Sequence, residues 1–233
     1  MPDLIQSSYD ANRFNELPSI EQADAIMRKD ALLDRAFDKL GPVFLAHGME
    51  PHWGIGLLHN HWGINDGEFP LQQTFSTPEG SEYITLPKPI NRIGRECWPS
   101  VFAVSHSTKQ LLIPLEYSND HKVSEAYLEL LKNREFIEDF AKHAKRHELD
   151  KTFGLVALRA LDAPDRELIE FNYDERISIV REVTRGRFSG SSIIETAWSF
   201  CASEMACTPS CFSKCVVPKT GGHYHEHPKA HGR

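Results

Sequence analysis

The chain has 233 residues, of which 40% are hydrophobic and 25% are charged, values that exclude wholesale disorder and a fibrous repeat. Lys and Arg together number 26 against 33 Asp and Glu, and the resulting net charge of −7 argues against a general nucleic-acid binder. A chain of this length can bury a sizeable core without disulfides. We therefore expect a folded protein that does not bind nucleic acid.

The first residues lack the basic and apolar regions of a secretory signal, and no stretch approaches the ~18 apolar residues of a transmembrane helix. We therefore expect a cytoplasmic protein with no membrane partner. In that compartment thiols stay reduced, so a cluster of cysteines indicates metal binding or redox chemistry before disulfides.

The first predicted element is an N-terminal helix. Ser19 and Gln22 have the spacing of a capping box, and apolar residues follow at helical intervals as far as Leu40. Gly41 and Pro42 are expected to end it. The glycine-rich stretch 53–62 then predicts a buried strand. Further short strands are expected at 69–75, 83–86, 101–104 and 111–117.

A long central helix is predicted from Ser124 to about His147, because one apolar stripe runs through this segment and Ser124 can cap it. His143 and His147 lie one turn apart near its charged end, which favours a solvated helix end over a metal site. Three more strands are expected, at 153–160, 167–173 and 176–184. The acidic residues from Asp162 to Glu170 indicate a solvated face.

Because neighbouring strands recur as hairpins rather than alternating with helices, we expect an α+β fold. It would have a mostly antiparallel sheet, with the N-terminal helix and the long central helix packed on it. Residues 1–200 would form one domain. Residues 201–233, rich in Cys, Pro, Gly and His, would form an irregular segment packed on this domain or trailing from it.

The 12 histidines are not spread evenly, and His59 and His61 form the first candidate metal site. Two residues apart on a strand, both imidazoles would point to the same face and could bind one ion. Glu68, across a turn, could return as a carboxylate ligand or catalytic group. Two histidines with one carboxylate are typical of non-haem iron, and three ligands with water are typical of catalytic zinc. The alternative is a hydrogen-bonded pair on a polar sheet face.

Four of the five cysteines lie between Cys201 and Cys215, and three of them, Cys207, Cys211 and Cys215, are spaced four residues apart. If Pro209 begins a helix, Cys211 and Cys215 would share one face. With His223 or His225 they could form a structural zinc site of the Cys3His type. The alternatives are buried thiols and a reactive redox thiol.

The C-terminal histidines, among them His223 and His225, alternate with other residues as in metal-chelating segments. A tail that binds metals only opportunistically fits the same pattern. If this segment folds back onto His59 and His61, the dispersed histidines and cysteines belong to one site.

The stretch Gly56-Leu57-Leu58-His59-Asn60-His61, preceded by a helix and followed by a Cys/His-rich tail, resembles a group of small fungal proteins with no known activity. The resemblance implies no reaction. It favours His59, His61 and the tail as the places where function resides.

Together these patterns predict a cytoplasmic metal-binding protein, with zinc or non-haem iron at His59 and His61. It would act as an oxygenase or a hydrolase on a small-molecule substrate. The alternatives are a non-enzymatic module with a Cys3His zinc site, and a thiol-based redox protein.

Overall fold

A computed structural model describes residues 5, 9–77, 80–93, 96–107, 110–159, 166–173, 175–188, 192–202 and 207–217. In these residues, ten strands form a closed barrel with five α-helices beside it. The strands are β1 Trp53–Leu57, β2 Glu68–Thr77, β3 Gly80–Pro89, β4 Trp98–Val104, β5 Leu112–Ser118, β6 Phe153–Ala157, β7 Arg166–Tyr173, β8 Ile177–Thr184, β9 Ser192–Ala202 and β10 Cys207–Val217. The helices are α1 Ala11–Asn15, α2 Ile20–Arg28, α3 Leu32–Ala46, α4 His121–Lys132 and α5 Arg134–Arg146.

The strand order around the barrel is β1-β6-β4-β5-β2-β3-β8-β7-β10-β9. Pairing of β1 with β9 closes the ring, with Ile55 opposite Trp198. Two of the pairs, β2 with β5 and β7 with β10, are parallel. Strands distant in sequence are thereby neighbours in space, which sets the geometry of the candidate site described below.

The helices cover one outer side of the barrel and bury the largest apolar cluster against it. Phe44 of α3 packs with Phe136 and Phe140 of α5 and with Phe200 of β9. Trp53 of β1 points into the same layer, where its indole Nε1 donates a hydrogen bond to the Ala126 carbonyl. No helix within the described ranges is long and apolar enough to cross a membrane.

The expected α+β fold is wrong, because the strands close into a mixed barrel instead of forming an open antiparallel sheet. Hairpins are local and can be predicted from turns. The pairing of β1 with β9, however, joins segments more than a hundred residues apart, and no local pattern specifies it.

The single long helix from Ser124 to His147 is also wrong, because Asn133 divides it into α4 and α5. Asn133 has a non-helical backbone (φ −108°, ψ 72°), and its side-chain oxygen accepts a hydrogen bond from the Phe136 amide as the cap of α5. The apolar stripe continues across this break, which is why periodicity alone does not reveal it. Near the N-terminus, a 3-10 turn at residues 29–31 separates α2 from α3, and α3 continues through Pro42.

The prediction of an irregular C-terminal segment is likewise wrong for residues 207–217, which form strand β10. No helix begins at Pro209. The boundary expected between residues 200 and 201 falls inside β9. Because β10 pairs with β9 along its length and with β7, this part of the chain is integral to the barrel wall.

Candidate metal centre

Four side chains bring potential metal ligands together inside the barrel. His59 and His61 lie just beyond β1, Glu170 lies on β7 and Cys215 lies on β10. Their ligand atoms all lie within 4.8 Å of one another. Cys215 and Glu170 are directly opposite each other in the parallel β7–β10 pair, so their side chains project from the same face.

Asn60 fixes the orientation of the two histidines. The sequence predicted both histidines on a strand, but they lie after the end of β1. Its side-chain amide donates to the carbonyls of Phe14 and Leu17, while its backbone amide donates to the carbonyl of Pro18. Asn60 is thereby anchored to the N-terminal segment. The side chains on either side of it, His59 and His61, both turn toward Glu170 and Cys215.

His59 is held in the tautomer that a metal ligand needs. Its Nδ1 lies 2.7 Å from the carbonyl oxygen of Leu57, which can only accept, so Nδ1 carries the proton and Nε2 has a free lone pair. Burial, together with the neighbouring His61, lowers the pKa of His59 to about 4, so the ring is neutral near pH 7. Metal-bound histidines commonly donate their second N–H to a carbonyl in this way.

The separations of the four ligand atoms match those around a single ion. His59 Nε2 lies 3.1 Å from His61 Nε2, and Cys215 Sγ lies 3.6 Å from each of these nitrogens. Glu170 Oε2 lies 3.4 Å from His61 Nε2 and 3.0 Å from Cys215 Sγ. Around a tetrahedral zinc ion bound at about 2.0–2.3 Å, neighbouring ligand atoms are about 3.3–3.6 Å apart. The sixth separation, between His59 and Glu170, is within 4.8 Å, so the cluster can accept a metal if these side chains move to close it.

The metal-free site holds a thiol proton that a bound metal would displace. Burial opposes ionisation of Glu170, but the imidazoles of His61 and His59 outweigh it and lower the carboxyl pKa to about 2. Burial and the adjacent Glu170 carboxylate raise the pKa of Cys215 well above its usual range. Cys215 is thus a neutral thiol that donates to Glu170 Oε2. A bound cation would stabilise the thiolate and release this proton.

A cavity of about 110 Å³ in the barrel interior borders the cluster, and all ten strands contribute to its wall. Its lining is partly polar and includes Gln72, Ser100, Glu116, Arg159 and Ser178. Burial and the nearby Glu170 raise the pKa of Glu116 to about 7. A small molecule in this cavity would contact His59, His61 and Glu170 directly.

The structure does not bring Glu68 to the histidines. Its carboxylate forms an ion pair with Arg176 at 2.7 Å and accepts a hydrogen bond from the Asn65 amide. The Arg176 guanidinium lowers the pKa of Glu68. Glu68 begins β2, whose partners are β3 and β5 rather than β1, so the turn after His61 leads the chain away. The carboxylate beside the histidines is Glu170.

Of the three cysteines at intervals of four, Cys215 alone belongs to the cluster among the described residues. A bulge at Phe212 reverses the alternation of β10, because Cys211 and Ser213 pair with the consecutive residues Trp198 and Ala197. Cys211 therefore faces the outer layer, where burial and Glu195 raise its thiol pKa to about 12. The side chain of Cys207, and all of His223 and His225, lie outside the described residues.

Glu170 is the ligand that sequence reasoning missed, because it was assigned to a solvated acidic stretch. A signal was present in the segment Leu168-Ile169-Glu170-Phe171, which is apolar on both faces of a strand. Leu168 faces the barrel interior and Ile169 and Phe171 the outer layer, all of them buried. A charge in a strand that is buried on both faces needs a partner, and a cationic or metal-binding site supplies one.

Comparison with known proteins adds no relative from which to transfer a role. No protein-family model, curated protein or solved structure matches this chain.

Proposed function

We propose that the protein is a metal-dependent enzyme that acts on a small molecule inside the barrel, with a divalent ion held by His59, His61, Glu170 and Cys215. The observation that carries this proposal is the convergence of four potential ligand atoms, three of which, on His59, His61 and Glu170, belong to residues lining a partly polar cavity. Two imidazoles, a carboxylate and a thiolate suit a borderline-soft ion, so we propose zinc, with non-haem iron second.

The chemistry expected of such a site is hydrolytic or, with iron, oxidative. A bound ion would supply Lewis acidity, polarising a substrate oxygen or activating a water molecule. The chain itself supplies Glu116 on the cavity wall, whose pKa of about 7 suits a group that gives and takes a proton near neutral pH. Leu57 and Asn60 keep the two imidazoles oriented while this occurs.

A structural zinc ion is the second candidate, favoured by the fact that the protein can supply all four ligands of a closed site. It differs from the Cys3His site expected from sequence, since Cys211 does not join Cys215. A reactive redox thiol has less support, because the pKa values of Cys211 and Cys215 are both raised, which disfavours the thiolate. Cys211 and Cys215 are free thiols, as expected of the cytosolic location that we also propose.

Metal content is the first test. The untagged protein is reconstituted with zinc or ferrous iron, dialysed and assayed by mass spectrometry. We expect about one ion per chain in the wild type. Cys215→Ser and His61→Gln are expected to lose tenfold or more in affinity, whereas the matched variant Cys211→Ser should bind as the wild type does. Less than half an ion in the wild type, or equal loss in Cys211→Ser, would contradict the proposal.

Cobalt substitution separates the enzymatic role from the structural one. The Co²⁺ protein is expected to show a thiolate charge-transfer band that disappears in Cys215→Ser. If the site is catalytic, azide entering from the cavity should change the visible ligand-field bands. Bands that do not respond to azide, in a protein that unfolds when the metal is removed, would favour the structural ion.

A further inference from the structure

Arg159 is a partly buried cation in the cavity that the proposed metal centre does not use. It lies two residues beyond β6 and lines the same cavity as Glu116, Glu170 and the two histidines. Its guanidinium carbon lies 4.5 Å from the centre of the Tyr83 ring, a cation–π contact that holds the group in place.

Part of the hydrogen-bonding capacity of Arg159 is not used within the described residues. Its Nε is fully buried without a hydrogen-bond partner, and the guanidinium forms no ion pair with any described residue. By contrast, Arg134 and Arg176 form ion pairs with Glu138 and Glu68 at 2.7 Å. A buried guanidinium N–H without an acceptor is unfavourable, and an anion entering the cavity would relieve that penalty.

The charges around Arg159 limit the kind of anion. Burial lowers the pKa of Arg159, whereas Tyr83, Asp120, Glu116 and Glu170 favour its charged form. Glu116 and Glu170 share its cavity, so one positive side chain faces acidic groups there. The acidic groups oppose a phosphate dianion more strongly than a monoanion, so the field favours a singly charged carboxylate, which the planar fork of arginine can bind through two hydrogen bonds.

The size and lining of the cavity limit the rest of the ligand. Its volume of about 110 Å³ is smaller than a typical drug-sized pocket of about 300 Å³ or more. Leu115, Val180 and Phe212 provide apolar wall, while Gln72, Ser100 and Thr196 provide polar groups. A short chain of a few carbon atoms with a single acidic end fits both properties.

We propose that the cavity binds a short-chain monocarboxylic acid, whose carboxylate pairs with the guanidinium of Arg159 while its other end faces His59, His61 and Glu170. The inference rests on the proposed function in one respect: the end of the acid that faces the proposed metal centre is taken as the end that reacts. Arg159 is then the residue that selects carboxylates as the substrate class and sets their direction of entry.

Binding is tested by titration calorimetry and ligand-observed NMR, with acetate, propionate and butyrate as probes on metal-free and zinc-loaded full-length protein. Propionamide is the neutral counterpart of propionate, and inorganic phosphate is the dianion control. We expect at least one carboxylate to bind, and propionamide and phosphate to bind at least tenfold more weakly. Arg159→Gln should weaken carboxylate binding tenfold or more at unchanged metal content, and Arg159→Lys should restore part of it.

Arg134→Gln is the matched control, because it removes an exposed arginine and should bind carboxylates as the wild type does. Equal binding by Arg159→Gln and wild type, no binding of any carboxylate, or equally tight phosphate binding would overturn the inference. The two proposals fail separately. Carboxylate binding that depends on Arg159 in a protein that holds no metal would refute the metal enzyme alone, whereas metal binding without carboxylate binding would refute this inference alone.

Discussion

Glu116 makes the stability of the metal-free protein depend on pH in a direction opposite to that of most carboxylates. Burial and the neighbouring Glu170 raise its pKa from 4.5 to about 7. Between these values the folded protein keeps a proton that the unfolded chain has released. The stabilisation is therefore present in full below pH 4.5 and is lost as the pH rises through 7. Its size is about 2–3 kcal/mol over that interval.

The perturbation is Glu116→Gln, which keeps the shape of the side chain and removes its ionisation. Urea unfolding of metal-free protein at about pH 5 and about pH 8 gives the free energy of unfolding of both chains. We expect the free energy of unfolding of the variant, relative to that of the wild type, to be about 2–3 kcal/mol more favourable to the folded state at about pH 8 than at about pH 5. Glu125→Gln, with a glutamate side chain that is 61% exposed, should show little such change. A difference between Glu116→Gln and wild type that stays constant with pH would refute the reasoning.

Three further predictions concern packing and metal uptake. Gly154→Ala should destabilise the protein by about 2 kcal/mol or more in urea unfolding, because the added Cβ would collide with the Phe102 carbonyl, whereas Gly63→Ala meets only ordinary contacts and serves as control. Trp53→Phe should cost about 1–3 kcal/mol, because the indole hydrogen bond to the Ala126 carbonyl is lost and the smaller ring leaves space in the core; full retention of stability would contradict this. Zinc affinity should rise at least about tenfold per pH unit below the raised pKa of Cys215, measured by competition with a chelator, and an affinity independent of pH would show that no proton is displaced.

Local chemistry in the sequence predicted several elements of this structure. The capping box of Ser19 and Gln22 begins α2 as expected, and strands occur near most of the predicted positions. The sharing of one site by His59 and His61 was also predicted, although they lie beyond β1 and owe their orientation to Asn60. Hydrophobic periodicity, helix caps and turn residues are properties of short segments, so the elements that they specify can be predicted from a single sequence.

What the sequence could not predict depends on contacts between distant segments. Closure of the barrel through β1 and β9 decides that Glu170 and Cys215 meet the histidines, and Glu68 does not. The bulge at Phe212 decides that Cys211 and Cys215 face opposite sides, although their spacing of four suggests one face in a strand as well as in a helix. Both features depend on how β1, β9 and β10 pair with one another, which is not a property of any one segment.

The closed ring also determines when the proposed metal centre is completed during synthesis. His59 and His61 leave the ribosome early, whereas Cys215 lies on β10, 154 residues after His61. Until β10 has emerged and paired with both β9 and β7, the two imidazoles lack their thiol partner and the barrel has an open seam. A metal bound by these side chains would connect the end of β1 to β10 and would oppose reopening of the barrel at this seam. Loading is therefore expected to follow chain completion, and the loaded protein should unfold more slowly than the empty one.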